Sequence, residues 1–246
     1  MSFSEIFPFL GSPSDRGFLD KQDDLVFVVV SNTEDFSNYE GHFSDVLKVL
    51  RLLGQLSVRK TGVKPLVMFT SGCKDYGRTA RHGSTELHSH TEESPLHPLD
   101  ILVPRTETTV KLLNGSENEP FDAVVLWPTT VYGYGSSYYG LLFAFAEQAK
   151  DKGLLRIPAH PNTIMHGAHV DDCAEAYVLL ASYSDRKAIR GQAFNISNAR
   201  YETVGEISEA LARSYGLKVE YDLSTGEKRD EDIVPGSIES IVGFSQ

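Results

Sequence analysis

The chain has 246 residues, yet only two cysteines, one tryptophan and three methionines. Two cysteines as far apart as Cys73 and Cys173 encode no disulfide framework, and they suit a reducing, cytoplasmic setting. No run of basic residues occurs. The 34 acidic residues outweigh the 23 basic ones and leave a formal charge of −11. Such a surface repels phosphate backbones, which argues against a nucleic-acid partner. No apolar run, Leu25–Val30 included, approaches the ~20 residues of a membrane span, so no membrane partner is expected. The N-terminus has no basic segment ahead of an apolar block and does not read as a secretory signal. None of the 20 glycines falls into G-x-G-x-x-G or G-x-x-x-x-G-K-[ST], so no dinucleotide turn or phosphate loop is spelled out. No tyrosine stands between Tyr76 and Tyr132. No internal repeat is present.

What is there alternates between strand and helix patterns. The run "LVFVVVS" (25–31) is apolar throughout, as in a strand buried on both faces of a parallel sheet. Phe43, Val46, Leu47, Leu50 and Leu53 recur at helical spacing and predict an amphipathic helix over about 40–58. Strands follow at 64–72, 121–128 and 192–197, and helices at 104–113, 138–152 and 203–215. Asp171 and Asp172 can cap a further helix that runs to Ser184. Gly216 stops the last helix, and "KVEYDL" follows as a strand. Residues 73–98 are polar, rich in His, Ser, Thr and Glu, and read as one long loop. The order predicts an α/β fold with a doubly wound, Rossmann-like parallel sheet. Residues 1–22 read as an irregular lead-in, 23–222 as the folded domain with an interleaved C-terminal substrate lobe, and 223–246 as a tail.

The stretch "VVLWPTTVYGYGSSYYG" (124–140) has the strand, glycine loop and helix order of a dinucleotide turn. It fails as one. Gly133 and Gly135 supply G-x-G, but Tyr138 stands where the third glycine allows close helix–strand packing. The next strand-like run, "LLRIP", brings no acidic residue for a ribose.

Several segments together resemble a known family. "LVMFTSG" with the following "YG", "TEESPLHP", "VVLWPTTVYGYG", "HGAHVDDCAEAYVLLA" and "GQAFNIS" followed by "TVGEISEALARSYG" stand in the order and spacing of extended short-chain dehydrogenases/reductases. The chain is similar to the NAD-dependent epimerase/dehydratase family from about residue 24 to 222. The resemblance implies an NAD(P) cofactor and a small carbonyl, alcohol or sugar-like substrate. It implies that Val30, Ser31, Thr70, Pro128, Thr129, Thr130 and Val131 line the cofactor, and that Ser71 holds the family's serine position. It also implies possible homodimers built on two long helices, for which region 40–58 could serve.

Two departures bear on activity. The family begins with a strand, glycine loop and helix, and only 24 residues stand where that unit and one further βα unit would be. The expectation is an N-terminally incomplete fold, poor dinucleotide binding and an exposed sheet edge prone to aggregation. The family's Tyr-x-x-x-Lys is also missing. Alignment sets Ile101 at the tyrosine and Arg105 at the lysine. An arginine can hold a ribose or phosphate but does not donate a proton near neutral pH. "YSDRK" (183–187) matches the motif on the wrong element. The expected function is an oxidoreductase/epimerase-type domain, impaired or inactive as given. The alternative is a non-catalytic ligand-binding or regulatory protein on the same fold.

His82, His88 and His90, with Glu86, Glu92 and Glu93, have zinc-ligand chemistry, but the loop shows no rigid frame. A solvated loop without metal is the expectation. Cys73 reads as a plain buried cysteine.

Overall fold

In the computed structural model of the chain, residues 28–32, 34–115, 119–134, 137 and 139–222 are described. The expected lead-in and tail, residues 25–27 of the first strand, and Gly135 and Tyr138 of the glycine loop lie outside them. The chain divides into two compact units. The first comprises Met1–Ser71, Ile101–Trp127 and Glu175–Phe194, and the second Gly72–Asp100, Pro128–Ala174 and Asn195–Gln246.

The first unit centres on strands β1 (Val28–Ser31), β2 (Leu66–Thr70) and β3 (Asp122–Pro128). They stand in a sheet of order β1, β2, β3, β8, where β8 is Ala193–Ile196. β1 is parallel to β2, and β2 to β3, with Val30 opposite Met68 and Thr70 opposite Leu126. Leu66 to Phe69 and Ala123 to Trp127 are all buried. That is why both strands read as unbroken apolar runs rather than alternating ones. Among the described residues, β1 pairs only with β2, and Val30 is 47% exposed.

Helix α1 (Tyr39–Thr61) runs further at each end than its apolar period predicts. Glu40 in its first turn and Arg59 and Lys60 in its last complement the helix dipole. Its Phe43, Leu47 and Leu50 are buried, and the Phe43 ring meets Phe69 of β2 edge-on at 6.0 Å. Each such large side chain contributes about 1.5–3 kcal/mol through burial. Helix α2 (Val103–Gly115) carries Pro104 in its first turn, where no N–H is needed. The first unit also holds most of helix α4 (Val170–Ser182) and the short α5 (Arg186–Ile189).

The second unit pairs β4 (Thr130–Tyr132) with β7 (Gly167–His169) and β5 (Leu154–Ile157) with β10 (Lys218–Tyr221), both parallel. β6 (Ile164–Met165) and β9 (Glu202–Thr203) pair antiparallel. The short strands β4, β6, β7 and β9 were not legible, because two or three residues show no period. Helices α3 (Tyr139–Ala149) and α6 (Val204–Tyr215) close a core of Leu142, Ala146, Leu155, Ile157, Met165 and Leu211. A reciprocal cap starts α6: Thr203 Oγ1 accepts from the Glu206 N–H, and the Glu206 carboxylate accepts from the Thr203 N–H. Gly216 ends it in the left-handed region, as the sequence predicts.

Candidate functional site

In the first unit, the sequence-derived residues cluster at the carboxyl ends of β1 and β2, where ligands bind in open α/β sheets. Val30 and Ser31 end β1, and Thr70 ends β2. Ser71 is buried, and its N–H donates to the Leu126 carbonyl at 2.9 Å. Thr70 Oγ1 lies 2.5 Å from the Tyr177 hydroxyl of α4. Tyr177 was not found from the sequence, since it comes 107 residues later on another element. Arg105 on α2 is buried, its side chain only 7% exposed, and its Nη1 donates to Glu34 Oε1 at 2.8 Å. Glu34, just beyond β1, also accepts from the Tyr39 hydroxyl at 3.0 Å. A buried guanidinium is costly without an anion, so Glu34 explains how an arginine is accommodated there. Ile101, four residues earlier, is 40% exposed and carries no polar group.

The remaining candidates belong to the second unit. Thr129 and Thr130 are buried, and Pro128 and Val131 partly so. The Thr129 N–H donates to the Ile196 carbonyl and the Thr130 N–H to the His166 carbonyl, each at 2.9 Å. His166 is buried, with Nε2 2.7 Å from the Asn198 carbonyl. That contact requires the proton on Nε2, and Nδ1 has no hydrogen-bond partner among the described residues.

The polar stretch after Ser71 is more ordered than its composition suggests. A 3-10 turn (Cys73–Tyr76) opens it, with Cys73 buried. The Tyr76 hydroxyl donates to Asn195 Oδ1 at 2.9 Å, and its ring stacks on His90 at 5.0 Å. The Asn195 N–H donates to Glu92 Oε1 at 2.8 Å, and the His82 N–H to the Asn162 carbonyl at 2.9 Å. Backbone and side-chain hydrogen bonds pin the loop although it has no helical or strand period, and most of its residues from Arg81 to Asp100 stay exposed. Burial, with His88 and His97 nearby, lowers the His90 pKa. Among the described residues, no group of three His, Cys, Asp or Glu side chains could hold a metal ion. No helix among them is long and apolar enough to cross a membrane.

Proton chemistry finds little support in the tyrosines. Burial pushes the Tyr76 phenol well above its ordinary range, and Asn195 only partly offsets this. Burial, with Glu202 and Tyr132 nearby, does the same to Tyr139. A general base needs the opposite shift. Tyr183 of "YSDRK" follows the end of α4 and is half exposed.

The glycine loop can be tested against a pyrophosphate. A Cβ placed on Gly133 would lie 2.7 Å from Val170 Cγ1 and 3.0 Å from His169 Nε2. The space that glycine opens for phosphate in a dinucleotide turn is filled here by protein. Gly133 thus does not do here what the glycine of a dinucleotide turn does.

A parallel sheet of buried strands, with the candidate residues at strand ends, defines a Rossmann-like α/β protein. Residues 18–197 match the NAD dependent epimerase/dehydratase family, and the chain belongs to it. The fold is similar to that of a dTDP-glucose 4,6-dehydratase from Bacillus anthracis in complex with NAD, at TM-score 0.67 and 18% identity over 85% of this chain. The chain spans 64% of that protein's length. A dTDP-glucose 4,6-dehydratase from Streptomyces venezuelae with NAD bound matches 96% of this chain and 73% of its own, at TM-score 0.64 and 20% identity. A UDP-glucose 4-epimerase from Thermus thermophilus in complex with NAD matches 85% of this chain and 67% of its own, at TM-score 0.54 and 19% identity. No curated protein sequence matches the chain.

Proposed function

We propose that the chain is a nucleotide-sugar-binding domain of the epimerase/dehydratase type that is impaired in hydride transfer. One observation carries this reading. At the position that resemblance gives to the catalytic lysine, Arg105 is buried and ion-paired to Glu34, and Ile101 stands in place of the tyrosine. An arginine keeps the charge that holds a ribose or phosphate, but it supplies no proton near neutral pH. A nicotinamide cofactor, when bound, supplies the hydride chemistry. Toward it, Val30, Ser31 and Thr70 are the candidate contacts in the first unit, where Ser71 would orient a ligand oxygen and Arg105 would hold the ribose, and Pro128, Thr129, Thr130 and Val131 are the candidates in the second. The substrate class, a small carbonyl, alcohol or sugar-like molecule, follows from the family. The similar dehydratases and epimerase, named for dTDP-glucose and UDP-glucose, favour a nucleotide-linked sugar. A homodimer through α1 and α2 is part of the proposal. A cleft of about 290 Å³ between these helices, with Phe43, Leu47 and Pro104 in its lining, supports it.

The test is calorimetric titration of NADH, NADPH and dTDP-glucose into the full chain, with an assay of hydride transfer. The expected result is sugar-nucleotide binding and no turnover, with turnover appearing in the Ile101→Tyr/Arg105→Lys variant. Turnover by the unmodified chain would overturn the reading.

A further inference from the structure

The cation at the end of the sheet is already occupied by the chain itself. The Arg105 side chain is only 7% exposed, while that of its partner Glu34 is 29% exposed. Of the two, the carboxylate is the member that solvent reaches. The pair stands just beyond the end of β1, where open α/β sheets receive their ligands.

Glu34 opens a short turn that leads into α1. Asp35 Oδ1 accepts from the Ser37 N–H at 2.9 Å and from the Ser37 hydroxyl at 2.6 Å. The Asn38 N–H donates to the Asp35 carbonyl at 3.2 Å, and the Asn38 carbonyl accepts from the His42 N–H at 2.8 Å. The Phe36 ring stacks on Tyr39 at 5.0 Å and is 60% exposed. Tyr39 is buried, with its ring edge-on to Phe43 at 4.9 Å, and its hydroxyl donates to Glu34 Oε1 at 3.0 Å. The hydrogen bonds and ring contacts printed on the turn thus stay within five residues in sequence, except the one from Glu34 to Arg105, 71 residues away. A segment tied mainly to itself can swing as a unit about its root, and Tyr39 is that root. Moving it breaks one long-range link.

A guanidinium offers the same N–H donors to a carboxylate as to the phosphate and ribose oxygens of a nucleotide. Glu34 and such a ligand therefore compete for Arg105. We propose that the turn from Glu34 to Asn38 is an autoinhibitory strap: Glu34 holds Arg105 closed, and a nicotinamide dinucleotide engages the guanidinium only when Glu34 swings away. This rests on the reading above that Arg105 serves the cofactor, and it adds to that reading a reason for weak binding that lies in this chain's own carboxylate.

The experiment titrates NADH and, separately, dTDP-glucose into the full chain and three variants. Glu34→Gln keeps an acceptor for the Tyr39 hydroxyl but removes the competing charge, and should tighten NADH by about 10-fold. Tyr39→Phe keeps both charges and removes one hydrogen bond that holds Glu34, and should tighten NADH by about 3- to 5-fold. It keeps the strap testable where Glu34→Gln folds poorly. Asp45→Asn removes a carboxylate exposed on α1 and paired with Lys48, and should change nothing. The dTDP-glucose affinity should stay the same throughout. Unchanged NADH affinity in both Glu34→Gln and Tyr39→Phe, or equal tightening in Asp45→Asn or toward dTDP-glucose, would overturn the strap alone. So would binding of dTDP-glucose with no NADH binding by any of the chains. If no chain binds either ligand, the functional reading fails and this inference falls with it.

Discussion

The two units treat polar chemistry in opposite ways. The first keeps a full charge in its interior, Arg105 against Glu34, at the carboxyl end of a fully buried sheet. The second holds neutral phenols, Tyr76 and Tyr139, whose surroundings resist ionisation. In the related chemistry, charge and phenol act together, the cation lowering the phenol's pKa. Here the cation is neutralised by a carboxylate, and burial raises the phenols instead. The difference teaches that holding a ligand and moving its protons are separable. On the proposed reading, the first needs only a charge and a shaped strand end. The second needs a group whose pKa is tuned toward neutrality.

The sharpest way to break this contrast is to unbalance the charge. Glu34→Gln leaves the buried guanidinium without its carboxylate and should cost about 2–3 kcal/mol, below the 3–5 of a fully buried pair because Glu34 is partly exposed. Arg105→Met should cost less, since it removes the more deeply buried member. Urea unfolding of both variants and of the double variant checks this. A double variant no less stable than the unmodified chain would show the pair to be retained for something other than stability.

The phenols are probed by alkali. A tyrosine whose pKa is higher in the folded chain than in the unfolded one binds its proton more tightly when folded. Its stabilisation is complete below the ordinary tyrosine pKa of about 10 and is lost as pH rises beyond it. The melting midpoint should therefore hold to about pH 10 and fall above it. Phenolate absorbance should show a late-titrating fraction that Tyr76→Phe and Tyr139→Phe each diminish. If every tyrosine titrates together near the ordinary value, the contrast between the units fails.

The smallest effect concerns the hydrogen bond from Tyr76 to Asn195. Tyr76→Phe should cost about 1 kcal/mol and loosen the polar stretch after Ser71. Hydrogen exchange should quicken at the Asn195 and His97 amides while the amides of Leu66 to Phe69 stay protected. Exchange unchanged at Asn195 would mean that Glu92, not the phenol, fixes the loop.

Much of the fold was written in one dimension. Apolar runs at 66–70 and 122–128 announced buried strands, because a strand covered on both faces needs no polar alternation. Spacing announced α1, and Thr203, Glu206 and Gly216 announced both ends of α6, because caps are local. The absence of any tyrosine between Tyr76 and Tyr132 was equally plain. Short strands were not, since two or three residues carry no period. The loop of residues 73–98 looked loose because its restraints, Asn162 and Asn195, are remote in sequence.

The sequence by itself determined the family, the parallel-sheet class and the absence of a Tyr-x-x-x-Lys motif between Tyr76 and Tyr132, since each rests on residue identity and spacing along the chain. Tertiary structure alone decided that Arg105 is neutralised by Glu34, that Thr70 meets Tyr177, and that Gly133 opens no room for phosphate. Those facts depend on which atoms lie within a few ångströms, and such distances are set by packing between segments that the linear order does not bring together.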